Sequence, residues 1–124
     1  MLAVRRMDET AETIAARVRV ELAGMSDDAL RARIQELLVS PYPVTRPWDY
    51  GAPGEYVCWT VLEHRPSNTG IAFCSEGFGP QAPWGLVWLE ERPSSTMSMG
   101  MDCGWFPSLA EAMRDSAAWD ESAT

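Results

Sequence analysis

His64 is the only imidazole in the chain, and it stands beside a carboxylate, Glu63. At a strand end before a turn it reads first as an ordinary polar residue. With one histidine, no second imidazole can share acid–base work. A cysteine–histidine dyad would need a thiol within hydrogen-bond reach, which spacing alone does not place. Cys58, Cys74 and Cys103 are odd in number, lie in apolar surroundings and lack a C-x-x-C pairing. They read as reduced, mostly buried thiols and not as a disulfide framework or zinc site, with no neighbouring cation or base to make one a nucleophile. Glu63, Glu76, Glu90 and Asp102 stand at or near the ends of expected strands. Two carboxyls converging to about 5 to 10 Å, one of them protonated, would be equipped for glycosidase-type chemistry. Solvated strand-end carboxylates are the commoner outcome. Glu63, His64, Glu76 and Asp102 are therefore the residues on which a small enzyme or ligand-binding domain would rest.

Gly77-Phe78-Gly79-Pro80 lacks the G-x-x-x-x-G-K-[ST] pattern of a phosphate cradle, and its proline removes an amide that such a cradle would use. It reads as a turn. The six tryptophans are a stronger signal: Trp59 and Trp88 fall inside expected strands, whereas Trp48, Trp84 and Trp105 fall in loops or at element edges, beside Asp49, Gly85 and Gly104. Tryptophan at such places anchors protein interfaces, and core corners use it equally well. Met97, Met99 and Met101 alternate with polar or small residues, as a flexible core face would.

The elements that must position these residues follow from periodicity. Ile14, Val18 and Leu22 recur every four residues and predict a helix over 8–23, closed by Gly24. Ser26 as N-cap, with Asp27 and Asp28 in the first turn, opens a second helix over 26–39 whose apolar face is Leu30, Ile34, Leu37 and Leu38. Ser40-Pro41-Tyr42-Pro43 stops it, and the chain to Gly54 reads as an irregular, aromatic-anchored loop. Strands are expected at 56–64, 71–76, 84–90 and 96–102, with a turn at Pro66-Ser67-Asn68-Thr69-Gly70. Ser108 and Glu111 form a capping box for a last helix over 108–118. The fold class is α+β: an N-terminal αα-hairpin and a C-terminal helix packed on a three- to four-stranded antiparallel sheet, as one domain over 1–124.

Composition agrees with that class. The 124 residues are 46% hydrophobic and 23% charged, an ordinary globular mixture with enough chain for a core of its own. No apolar run approaches the roughly 20 residues of a membrane span, and Asp8, Glu9 and Glu12 interrupt what a cleaved signal would need. A cytoplasmic protein is expected. Eighteen acids against ten bases, all arginine, give a net charge of −8, which repels nucleic acid and suits a basic partner.

The stretches Trp48-Asp49-Tyr50-Gly51, Cys58-Trp59-Thr60-Val61-Leu62-Glu63, Gly70-Ile71-Ala72, Gly77-Phe78-Gly79-Pro80, Pro83-Trp84-Gly85 and Met99-Gly100-Met101-Asp102 resemble small bacterial immunity proteins, the partners of polymorphic, contact-delivered toxins. The resemblance spans 48–106 and carries no fixed catalytic or ligand motif. It implies a stoichiometric inhibitor that binds a cognate toxin, with no cofactor and no metal. Trp48, Asp49, Tyr50, Glu76, Trp84, Asp102 and Trp105 are the candidate partner-binding residues, the tryptophans as anchors and the acids steering a basic partner. A homo-oligomeric adaptor with the same tryptophans in a dimer seam is the other alternative.

Overall fold

Thr10 and Thr13 satisfy each other's backbone at the start of the first helix. Thr13 N–H donates to Thr10 Oγ1 at 3.2 Å, and Thr10 N–H donates to Thr13 Oγ1 at 2.8 Å. The computed structural model describes residues 10–48, 54–75, 81–89 and 105–119. Helix α1, Ala11–Ala23, buries Ile14, Val18 and Leu22 along one stripe. The part of its expected span at 8 and 9 lies outside the described residues. Helix α2, Asp28–Leu37, is capped by Asp27 and not by Ser26: Leu30 N–H donates to Asp27 Oδ1 at 3.1 Å. That hydrogen bond, assisted by Arg114 3.5 Å away, holds the Asp27 carboxyl below its ordinary value of 3.8. Leu30 and Ile34 are buried, whereas Leu37, also expected in the core, is half-buried against it.

The region expected to be an irregular loop is instead the first strand. β1, Leu38–Trp48, follows α2 directly and pairs antiparallel with β2, Gly54–His64. Proline does stop the helix, but on an edge strand it is tolerated wherever its missing amide would have faced away from the neighbour. Pro43 and Pro47 pair with Trp59 and Glu55 in register. Residues of one parity direct both backbone groups to the same side of a strand. The prolines therefore occupy outward-facing positions, leaving Tyr42, Val44 and Arg46 to supply amides to β2.

A 3₁₀ turn, Arg65–Ser67, leads through Asn68 into β3, Thr69–Phe73. Asn68 has φ 60°, a left-handed conformation that asparagine accepts more readily than most residues. β4, Trp84–Trp88, and the short β5, Trp105–Phe106, complete a meander in the order β1-β2-β3-β4-β5. Among the described residues the sheet thus has five strands where three or four were expected, the additions being β1 and β5. The strand expected at 96–102 lies outside the described residues. The C-terminal helix, expected over 108–118, is α3, Leu109–Arg114, followed by a break at 115–116 and helical residues at 117–119. Ser108 caps α3 as expected, with Glu111 N–H donating to Ser108 Oγ at 3.2 Å, but Glu111 Oε2 meets the Ser108 hydroxyl, at 3.1 Å, in place of the backbone N–H that a full capping box uses.

The helices cover one face of the sheet. Ile14, Val18, Leu22, Leu30, Ile34, Leu109 and Met113 pack with Val61, Leu62, Ile71, Phe73, Trp84 and Leu86 in one core. The opposite face is paved with smaller side chains, Cys58, Ala72, Cys74 and Val87, against which Trp105 packs. No described helix is long and apolar enough to cross a membrane.

Candidate functional site

β1 and β2 are eleven residues each, but β3 has only five and its register with β2 ends at Trp59↔Phe73. Beyond that point residues 54–58 pair with residues 44–48 alone among the described strands. At about 3.4 Å per residue, this two-stranded arm outruns β3 by roughly 17 Å. Val57 on the arm is 42% exposed. Pro43 and Thr45, across the ladder from Trp59 and Val57, are exposed as well.

Trp48 is the last residue of β1, in register with Gly54 at the far end of the arm, and Asp49 and Tyr50 follow it in the chain. Asp49, Tyr50, Glu76 and Asp102 lie outside the described residues. Trp105 lies in β5, on the opposite edge of the sheet from β1. Four strand spacings, about 19 Å, separate those edges, so Trp48 and Trp105 do not form one patch. Trp84 is corrected from an edge anchor to a core residue: it is 2% exposed, and its ring meets Phe73 edge-on at 4.9 Å. Its side chain belongs to the helix-covered core and so offers a partner almost no surface. Trp59 and Trp88, expected in the core, are each less buried than Trp84.

Glu63 and His64, adjacent in the strand, go to opposite faces. Glu63 faces away from the helices, where Tyr42 Oη donates to its Oε2 at 2.6 Å and Arg65 reaches its Oε1 at 3.0 Å. His64 is buried, with Nδ1 2.8 Å from Ser67 Oγ, and Ser67 Oγ in turn lies 2.6 Å from Thr69 Oγ1. A serine against an imidazole has the outline of a nucleophile and its base. Here, though, Ser67 sits in the 3₁₀ turn, and its hydroxyl also lies 3.3 Å from the His64 carbonyl, so the group fastens the turn to the strand end.

The Tyr42–Glu63–Arg65 cluster was not legible as a site in the sequence, because Tyr42 was read as loop. Burial, reinforced by the Glu63 carboxylate, raises the Tyr42 phenol above its ordinary value of 10. The Thr60 hydroxyl beside it is fully buried and makes no hydrogen bond of good geometry, although its proximity slightly favours the phenolate. A phenol held neutral and a carboxylate engaged at both oxygens form a clamp between β1 and β2, not an acid–base pair. Tyr42 should accordingly titrate above 10, as followed by ultraviolet difference absorbance, and Glu63→Gln should move it part of the way back. A raised folded-state value makes this contribution to stability complete below about pH 10 and lost as pH rises through the Tyr42 titration. A shift unchanged by Glu63→Gln would assign the effect to burial alone.

The hollows carry charges that are already in use. One of about 350 Å³ lies where the end of α1 meets the starts of α2 and α3, lined by Glu21, Asp27 and Arg114. Glu21 Oε1 accepts Leu109 N–H at 2.9 Å, capping α3 from a distance, while Asp27 caps α2. Among the described residues no three His, Cys, Asp or Glu side chains are grouped to hold a metal ion. Cys58 and Cys74 are buried thiols, and Cys103 lies outside the described residues.

Fold and geometry together define a class: an α+β domain with a helix-covered antiparallel meander whose first two strands are the longest described. Comparison with family models, with curated proteins and with solved structures finds no match to this chain.

Proposed function

We propose that this protein is a stoichiometric inhibitor, an immunity protein that binds and neutralises a cognate bacterial toxin, and that the end of the β1–β2 arm carries the contact. The observation that supports this reading is the arm itself, which outruns β3 and has Trp48 at its end with Asp49 and Tyr50 next in the chain. An aromatic anchor beside an acid suits a basic protein surface, and a net charge of −8 favours approach to one. The placing of Glu63 and His64 on opposite faces counts against the enzyme alternative. The bacterial cytoplasm, where thiols stay reduced, is the compartment this reading calls for.

The test uses the product of a toxin gene adjacent to this one, with association and dissociation followed at low and high salt. Trp48→Ala should raise the dissociation rate and cost about 2 kcal/mol or more as a hot spot, roughly 30-fold in affinity. Asp49→Asn should chiefly slow association, and less so at high salt. A folded protein that neither binds nor protects against such a toxin would sink the reading.

A further inference from the structure

Among the described strands none pairs with the outer edge of β1, and that edge has a chemistry of its own. The outward-facing positions of β1 along the arm are 43, 45 and 47, and two of these are proline. Each presents a carbonyl oxygen, but of the three only Thr45 has an amide to present. Pro41 lies farther back, within the register shift before Tyr42, where the chain runs beside α1 near Val18 and Leu22. The result is a row of acceptors spaced about 6.8 Å apart, with donors deleted at both ends.

Such an edge is mismatched to another β-strand. Strand addition needs donors and acceptors in alternation, and an incoming strand would find two of its own carbonyls unanswered. It is matched to side chains that carry donors and no acceptors. Arginine, with five N–H groups, and lysine, with three, are the protein side chains that fit this description. The net charge of the chain as a whole, −8, also favours a basic partner.

We propose that the outer edge of β1, through the carbonyls of Pro43, Thr45 and Pro47, is a docking edge for arginine and lysine side chains of a basic protein partner, and that its prolines exclude strand addition. This deepens the inhibitor reading and rests on it for the identity of the partner, but the edge can be tested without any toxin. In the isotopically labelled full chain, the three carbonyl carbons are detected through the amides of Val44, Arg46 and Trp48. Hexa-arginine should move these carbonyl resonances downfield, saturably and less at high salt, as expected when they accept charge-assisted hydrogen bonds. A neutral peptide of alternating threonine and valine should leave them in place.

The double variant Pro43→Thr, Pro47→Thr restores two outward donors. It should keep the hexa-arginine response and gain pairing with the neutral peptide or with itself, read as peptide-dependent shifts or as a dimer in light scattering. The proposal is overturned if hexa-arginine perturbs other residues but not these carbonyls, if the neutral peptide pairs with the unaltered chain, or if the variant gains no pairing. Failure of the toxin titration with a responsive edge would instead count against the inhibitor reading alone.

Discussion

Replacing Phe73 by alanine should destabilise the fold by about 3 to 5 kcal/mol, the range for deleting a buried aromatic ring. Phe73 is 2% exposed in the core, with Trp84 edge-on against it and the Arg17 guanidinium 5.0 Å from its ring centre. It also pairs with Trp59 and Trp84 at the point where β2 leaves the three-stranded body and becomes the arm. An open hollow of about 300 Å³ already lies beside it, lined by Ala16, Val20, Pro83 and Pro107, so truncation would enlarge a space whose walls are fixed by two prolines. Arg17→Ala should cost far less, since a cation over an aromatic face at an exposed site contributes about 0.5 to 1 kcal/mol. Urea unfolding of both variants, with the slope unchanged, measures the difference. A loss below about 1 kcal/mol for Phe73→Ala would mean that the ring is not core and that the helix layer is misplaced.

Much of this architecture was legible because burial obeys a period. The four-residue spacing of Ile14, Val18 and Leu22 can serve only a helix with one covered face, and Ser108 with Glu111 announces a helix start through local hydrogen bonds. β1 escaped because each proline, taken singly, speaks for a loop. The common parity of Pro43 and Pro47 is the informative feature, which a loop does not require and an edge strand does. Reading parity would have placed Tyr42 and Val44 on one face and brought Tyr42 toward Glu63.

Trp84 was misplaced for a different reason. Neighbouring glycine and proline suggested an exposed edge, yet Gly85 is there so that Trp105 can lie flat over the strand. A Cβ on Gly85 would come within 2.4 to 2.5 Å of the Trp105 ring. That contact joins positions 20 residues apart, and local composition does not report it. The candidate site was legible in the same uneven way. Trp48 could be singled out by type, but its place at the end of an arm depends on β3 being shorter than β2, which is a property of pairing and not of any one residue.

The same dependence on pairing governs Gly70, where alanine should cost about 3 kcal/mol or more, the upper part of the range for overpacking. In the sequence Gly70 closes a turn cluster, but the turn ends at Asn68 and Gly70 is the second residue of β3, opposite Glu63. The pairing of β2 with β3 slips between Thr60 and Leu62, leaving Val61 as an extra residue next to this spot. A Cβ on Gly70 would lie 2.3 Å from the Leu62 carbonyl oxygen and 2.8 Å from Leu89 Cδ2. Leu89 can turn its side chain aside. The Leu62 carbonyl is backbone of the neighbouring strand and can yield only if the strands separate, which would disturb the Leu62–Ile71 pair inside the core. Gly24→Ala is the matched control, because its Cβ would meet nothing closer than 3.7 Å and its backbone angle suits an ordinary residue. That substitution should be neutral or mildly stabilising, up to about 1 kcal/mol through the unfolded chain. Thermal and urea unfolding of the two variants decide the matter. Equal stabilities would show that β2 and β3 do not approach as closely at Gly70 as the irregular register requires.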